Sequence, residues 1–364
     1  MQIAFLGSSL LSSYWNGAAT YYRGIIAALA RQGCRTTFFE PDAFERQRHR
    51  DIDPPDWAKI VVYPADLDAM HAVCSQAARA DVVVKASGIG VFDDEILETM
   101  LAVTPSHKVR LFWDVDAPAT LATISAKPRH PLHSALPRLD GVLTYGGGDP
   151  VVTAYKLFGA RLCVPIYNAL DPSTHFRTDP DPRFAGDLAF LGNRLPDRES
   201  RVEEFLFSVA RLLPEHRFLL GGAGWEPWQL PPNVRHIGHV STRDHNAFNS
   251  TPLAVINIAR DSMAANGYSP ATRVFEAAGA GACVISDAWP GIEQFLEPDR
   301  EVLVAGNAAD VVRHLAALTA ERALAIGERA RARVLREHTY EQRASAVVQI
   351  LERLLGSKRK RAVA

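Results

Sequence analysis

The sequence predicts an α/β protein made of two doubly wound, Rossmann-like domains. Three observations point there. Short apolar runs alternate with helical segments along most of the 364 residues. The alternation occurs in two series. Between them lies a turn-rich stretch, Tyr167-Asn168-Ala169-Leu170-Asp171-Pro172, continuing through Asp179-Pro180-Asp181-Pro182 without an apolar period. Strands that read as continuous apolar runs separated by helices belong to parallel sheets covered on both faces. The length suffices for two domains, each with its own core. The expected organisation is a first domain at 1–168, a second at 169–338 and a C-terminal helix with a basic tail at 339–364.

In the first series, Ile3 to Leu6 is a strand running into Gly7-Ser8-Ser9. A polar loop leads to a helix from about Ala18 to Gln32, with Tyr22, Ile25, Ile26 and Leu29 on one face. Gly33 closes it, and Thr36 to Glu40 is the next strand, completing a right-handed βαβ unit. Strands follow at Ile60, Val82, Val109, Gly141 and Leu162, with helices such as Ala65 to Arg79 and Asp93 to Val103 between them. In the second series Asp187 to Gly192 is a strand that enters Asn193-Arg194-Leu195-Pro196-Asp197-Arg198, then a helix to Leu213. RFLLGG, NVRHIG and LAVINI are the next strands. After a central stretch come EVLVA, a helix from Ala308 to Leu318 and a helical region to Leu355.

That central stretch, Asn266 to Asp287, reads as loop, helix and buried strand. Ser269 is a good N-cap and Pro270 suits the first helical position. Arg273 and Glu276 lie one turn apart and share a face. A helix N-terminus opening toward a loop favours anions, and an acidic residue further in can hold a ribose diol. An ordinary α/β connection with a solvated ion pair is the competing reading.

Ligands bind at the strand C-termini of open α/β sheets. The loop Gly7 to Thr20 lies there, but Gly17 is the next glycine after Gly7, so the GxGxxG dinucleotide fingerprint is absent. The loop after VRLFW carries Asp114 and Asp116, the best-placed carboxylates of the domain for general-base work on an acceptor hydroxyl. Capping of the following helix is the alternative, most of all for Asp116 before Ala117-Pro118. Gly146-Gly147-Gly148 is a third loop on this edge, either a close approach to a ligand or a turn.

Hydrophobic residues make up 47% and charged residues 22%, and the net charge is −1, so no bulk field favours nucleic acid or an anionic membrane. The one basic run, Ser357 to Ala364, reads as a frayed, solvated terminus. Cys34, Cys74, Cys163 and Cys283 are scattered, without CxxC or Cys/His clustering, as in a reduced cytosolic protein. The N-terminus lacks a signal-peptide pattern, and no apolar run is long enough to span a membrane. The expected setting is the cytoplasm.

Several motifs resemble a known group. RVFEAAGAGACVISD, Arg273 to Asp287, is similar to the donor-site helix of family-1-like bacterial glycosyltransferases, in particular the CgeB-like (spore-maturation-protein-like) branch. REHTYEQRA at Arg336 resembles that branch's C-terminal signature, and EQFLEPDREVLV at Glu293 its F-E-P-G-x-E segment, with Asp299 where glycine is usual. NGAATYYRGIIAALARQG and DVDAPATL resemble segments of the acceptor domain.

The resemblance implies the GT-B fold: two Rossmann-like domains facing each other across a cleft, with the nucleotide-sugar on the second and the acceptor on the first. It implies that Glu276 binds the ribose, that Tyr268 and Ser269 face the sugar and diphosphate, and that Arg273 or Arg198 neutralises phosphate charge. Gly192 and Asn193 would offer backbone N–H groups to the diphosphate, and His236 to Val240 would border the base. Ser8, Asn16, Gly17 and Thr20 would meet the acceptor. The C-terminal helix would cross back to the first domain. Most enzymes of this fold work without a metal, and Asp114-Val115-Asp116, though DxD as a string, lies in the wrong domain for a diphosphate metal. No cofactor is expected besides the nucleotide-diphospho-sugar as co-substrate.

Two positions depart from the pattern. Tyr268 stands where many retaining relatives have the first of two glutamates. Ala18 replaces the histidine of an Asn-Gly-His string, so either Asp114 or Asp116 acts in its place or the activity has changed. The activity expected is metal-independent transfer of a sugar, a hexose from UDP or dTDP, to a hydroxyl of a small molecule or glycan. The alternative is a degenerate GT-B protein that binds nucleotide or sugar without turnover. An epimerase of the same fold would need more acid and base groups than the second domain offers.

Five further side chains are weighed against packing. His338 reads as packing or capping, and His245 as part of a solvated loop. Trp225 and Trp228 read as a loop cluster, with stacking on a base or sugar as the alternative. Trp289 reads equally as donor contact and as packing.

Overall fold

The computed structural model describes residues 1–14, 16–226 and 229–363, with side chains described through 360. Contacts group the chain into two compact units, Met1–Tyr167 together with Tyr340–Ala364, and Asn168–Thr339.

Unit 1 comprises β1 Gln2–Leu6, α1 Ala18–Arg31, β2 Arg35–Asp42, β3 Ala58–Pro64, α2 Leu67–Ala77, β4 Val82–Ala86 and α3 Asp93–Val103. It continues with β5 Val109–Asp114, α4 Ala117–Ala126, α5 Pro131–Ala135, β6 Gly141–Thr144, α6 Gly148–Leu157 and β7 Cys163–Pro165. The seven strands form one parallel sheet in the order β3-β2-β1-β4-β5-β6-β7. Leu6, Val83, Phe112 and Val142 from the sheet pack with Met70, Leu97, Met100 and Ile124 from the helices. The order reverses between β1 and β4, so the loops after these strands flank the switch point where open α/β sheets hold ligands.

Unit 2 comprises β8 Leu188–Leu191 and a helical stretch of α7 Glu199–Val202, a π-helical turn Glu203–Ser208 and α8 Val209–Leu212. It continues with β9 Phe218–Gly221, β10 Val234–Gly238, α9 His245–Ser250, β11 Ala254–Asn257, α10 Asp261–Asn266 and α11 Thr272–Gly279. β12 Val284–Asp287, β13 Leu303–Ala305, α12 Ala308–Ala316 and α13 Ala320–Glu337 complete it. Its sheet is parallel in the order β10-β9-β8-β11-β12-β13. Phe190, Leu220, Ile256 and Ile285 meet Leu206, Phe207, Leu315 and Ile326 in its core. The switch point here lies between β8 and β11.

The last helix, α14 Tyr340–Val363, packs on α1 within unit 1. Gly24 makes the approach possible, because a Cβ there would lie 2.3 Å from the Tyr340 ring. Gln32, the C-cap of α1, donates to the Glu341 carbonyl at 3.1 Å and to Ser345 Oγ at 3.0 Å. Arg31 pairs with Glu341. The basic tail differs from the frayed terminus expected of it. The helix runs through it, and Lys358 Nζ lies 2.7 Å from Asp140 and donates to the Ser106 carbonyl at 2.9 Å.

All four cysteines are free and buried, and burial pushes the thiols of Cys74, Cys163 and Cys283 up to about 12. Among the described residues no helix is long and apolar enough to cross a membrane.

Candidate functional site

The C-terminal edge of the unit 2 sheet gathers most of the charge expected of a donor site. β8 runs its apolar LAFL directly into Gly192. The loop there is pinned: Trp225 Nε1 donates to the Gly192 carbonyl at 2.9 Å, and the Ala223 N–H donates to Asn193 Oδ1 at 3.0 Å. The Gly192 N–H donates to the Gly221 carbonyl at 2.9 Å, so it is not aimed at a ligand as expected. What Gly192 supplies is room. A Cβ on it would sit 2.8 Å from Arg198 Nη1 and 3.1 Å from Arg273 Nη2, so two guanidinium groups flank its bare backbone.

Arg273 lies over the Phe190 ring at 5.0 Å and donates to Asn257 Oδ1 at 3.4 Å. Burial, and next the repulsion of Arg198, bring its pKa down to about 9, although Glu276 and Asp287 pull the other way. Two like charges converging in a half-dry site favour a bound anion. A buried carboxylate of the same unit is already engaged. Asp287 accepts from Arg201 Nη2 at 2.6 Å and from the Ala259 N–H at 2.8 Å, and burial raises its pKa despite Arg201. Sequence reasoning missed the Arg201–Asp287 pair. The position of Asp287 at the end of an apolar strand was the available signal.

Glu276 lies on α11 one turn from Arg273, as the spacing predicts, with its side chain 19% exposed. Two histidines share its surroundings. His175 Nε2 is 3.6 Å from Glu276 Oε1, and the His175 and His245 rings are 6.2 Å apart. His245 is therefore not on a solvated loop. It opens α9, and burial lowers its pKa against the pull of Glu276. Val240 is buried and its carbonyl faces His245 Nε2 at 3.2 Å.

The start of α11 also departs from expectation. The helix begins at Thr272, and Ala271 at its N-cap is extended, so Ser269 and Pro270 precede the helix rather than cap it. Both are buried. Tyr268 has φ +49°, an uncommon state for an aromatic residue. Its N–H donates to the Pro290 carbonyl at 2.7 Å, and its ring lies where a Cβ on Gly291 would be. Trp225 is buried in the T-shaped company of Phe207, and Trp289 Nε1 donates to Ser286 Oγ at 3.2 Å, so both pack. Trp228 lies outside the described residues. His338 packs between Phe275 and Phe295.

In unit 1 the acceptor candidates separate by exposure. Asp114 is fully buried. Its Oδ1 accepts from Ser87 Oγ at 2.9 Å, Thr120 Oγ1 at 3.1 Å and the Asp116 N–H at 3.0 Å, and its Oδ2 from Tyr155 Oη at 2.5 Å. A carboxylate so enclosed ties β5 to α4 and α6 and has no access to an acceptor, which corrects the catalytic role expected of it. Asp116 is exposed and stands at the N-cap of α4 without a side-chain capping bond. Ser8 and Asn16 are buried and bonded to each other at 3.1 Å, with Asn16 Nδ2 donating to the carbonyls of Ser9 and Ser12. They shape the loop after β1 rather than face an acceptor. Gly17 and Thr20 are exposed at the start of α1. Glu40, buried on β2, holds the same loop through the N–H of Leu10 at 2.6 Å and Ser9 Oγ at 3.1 Å. A lone glutamate ending a strand gave no hint of it.

Residues 198–349 match a family model described as glycosyl transferase-like. No match to the chain was found among curated proteins. Solved structures similar in fold are GT-B glycosyltransferases. Sucrose-phosphate synthase from Thermosynechococcus elongatus is 13% identical with a TM-score of 0.75, covering 98% of this chain and 100% of its own. Anabaena HepE in complex with UDP and glucose is 14% identical with a TM-score of 0.67, over 97% and 99%. An α-glucosyltransferase in complex with UDP-glucose and abasic DNA is 12% identical with a TM-score of 0.70, over 97% and 99%. The chain therefore has the GT-B fold.

Proposed function

We propose that the chain is a glycosyltransferase that takes its sugar from a nucleotide-diphospho-sugar bound to unit 2. The observation that carries this reading is the pair of guanidinium groups, Arg198 and Arg273, flanking Gly192 at the switch point of the sheet. The family match supports it, since its span includes Arg198, Val240, Tyr268, Ser269, Arg273 and Glu276. So do the structural neighbours that contain UDP or UDP-glucose.

In this reading the diphosphate lies against Arg198 and Arg273, whose fixed forks match phosphate oxygens and stabilise the negative charge of the leaving group. Glu276 accepts from the ribose diol. The charge is met by guanidinium rather than by a metal on the diphosphate. UDP- and dTDP-hexoses are the preferred donors, the acceptor is a hydroxyl of a small molecule or glycan, and exposed Asp116 is the remaining general-base candidate. A thermal-shift series with UDP, dTDP and GDP tests it. A stabilisation by UDP or dTDP that Arg273→Met removes is expected, and no stabilisation by any nucleoside diphosphate would end the reading. A nucleotide shift without donor hydrolysis or transfer to any acceptor would leave the non-catalytic binder.

A further inference from the structure

We propose that His175, His245 and Glu276 form a binding site for a divalent transition ion of the zinc class, on unit 2. One ligand atom from each lies within 4.8 Å of the other two. The 3.6 Å separation between His175 Nε2 and Glu276 Oε1 is near the roughly 3.4 Å edge of a tetrahedron with bonds of about 2.1 Å.

The hydrogen bonds around the two rings bear on what each presents. Thr174 Oγ1 lies 3.2 Å from the Asp171 carbonyl and 2.9 Å from His175 Nδ1, and in the tautomer where Thr174 accepts from Nδ1 the lone pair is on His175 Nε2. This atom is buried and has no hydrogen-bond partner, on a side chain only 9% exposed. His245 is fixed the opposite way. Its Nε2 faces the Val240 carbonyl at 3.2 Å, which can only accept, so Nδ1 bears the lone pair. Two imidazole rings and a carboxylate thus meet in a partly dry site. A cation there would take the carboxylate and one nitrogen of each ring as ligands. Histidine ligands held by a hydroxyl or a backbone carbonyl on the far ring nitrogen are the usual support of metal sites. Two nitrogens and one carboxylate oxygen suit zinc with a fourth position open.

The consequence for the nucleotide rests on the reading that Glu276 holds the ribose: ion and nucleotide then compete for one carboxylate. The test uses the full chain, stripped with EDTA and titrated with cobalt(II) as a spectroscopic probe. Expected is one equivalent with the visible absorption of a tetrahedral nitrogen and oxygen site, displaced by zinc. Glu276→Gln, which keeps both rings packed, and His175→Ala should each weaken it by more than about tenfold. A thiolate charge-transfer band would place the ion on a cysteine and overturn the proposal. So would cobalt binding no tighter to the wild type than to the His175→Ala/His245→Ala double variant. His175→Ala should keep its thermal shift with UDP. If cobalt fails while that shift persists, the metal site falls and the donor reading stands. If cobalt binds and UDP gives no shift, the reverse holds.

Discussion

Arg273 is placed in conflict with its surroundings, and this gives its replacement a two-sided signature. Hydrogen bonds to charged groups contribute about 1.5–3 kcal/mol each, so Arg273→Met should weaken UDP binding about 10- to 100-fold by calorimetry. In the absence of nucleotide the same variant should melt no lower than the wild type, because a buried cation beside Arg198 has been removed. Arg273→Lys should not restore binding, since a point charge cannot reproduce the fork. A second residue carries strain of another kind. Asp299 is exposed with φ +64°, a conformation that glycine adopts without a Cβ penalty. Asp299→Gly should stabilise the chain by up to about 1 kcal/mol, read as a higher urea midpoint. Asp51 supplies a pH dependence. Burial by itself would raise its pKa, but the bonds from Arg23 and Ser13 prevail and bring it to about 2. A lowered carboxylate stabilises above its unfolded value and loses that contribution as pH falls toward 2. Asp51→Asn should therefore be less stable than wild type at pH 7 and equal to it near pH 2. Arg273 and Glu276 were legible because both sit on one helix. His175 was not, because the fold brings it to Glu276 from a remote turn.

At the scale of elements, α1 and α14 give the sharpest test. Alanine is favoured over glycine in a helix by about 1 kcal/mol. Gly24→Ala should nevertheless lower the melting temperature, because its methyl group enters the Tyr340 ring. A rise would mean that α14 does not dock there. The strands were the most legible elements, since a parallel strand covered on both faces reads as an unbroken apolar run. β8, with LAFL, and β9, with FLLG, are such cases. The start of α11 was not legible. Ser269-Pro270 has the composition of a cap, but Tyr268 in the left-handed region and extended Ala271 delay the helix to Thr272. The burial of Asp114 was hidden for a similar reason. Whether a carboxylate after a strand faces solvent or an interior network depends on Tyr155 and Ser87, which sequence places far away.

For the whole molecule, the division of the chain makes an asymmetric prediction. Unit 2 is a continuous stretch with its own sheet and core. Residues 168–339 alone should unfold cooperatively and keep their response to UDP, measured by circular dichroism with and without nucleotide. Residues 1–167 alone lack α14, which covers α1, and should be less stable than the same residues supplied with 340–364. The two-domain plan was visible in the linker composition and in the doubled strand and helix alternation. The return of the last helix to the first domain was expected from resemblance alone, and its seat on α1 was not read, because an amphipathic helix does not state which neighbour it covers.

That pairing also bears on how the protein is made. Gln32 and Ser345 are bonded across 313 positions of sequence. During translation the first unit therefore emerges early but lacks its last piece until residues 340–364 have been made. The second unit, whose contacts close within its own span, can fold first although it is synthesised later. In the interval the face of α1 that receives Tyr340 is open to chaperones and to other nascent chains. A released chain ending at residue 339 should leave 1–167 sensitive to protease and 168–339 resistant, and the chain that also carries 340–364 should protect both.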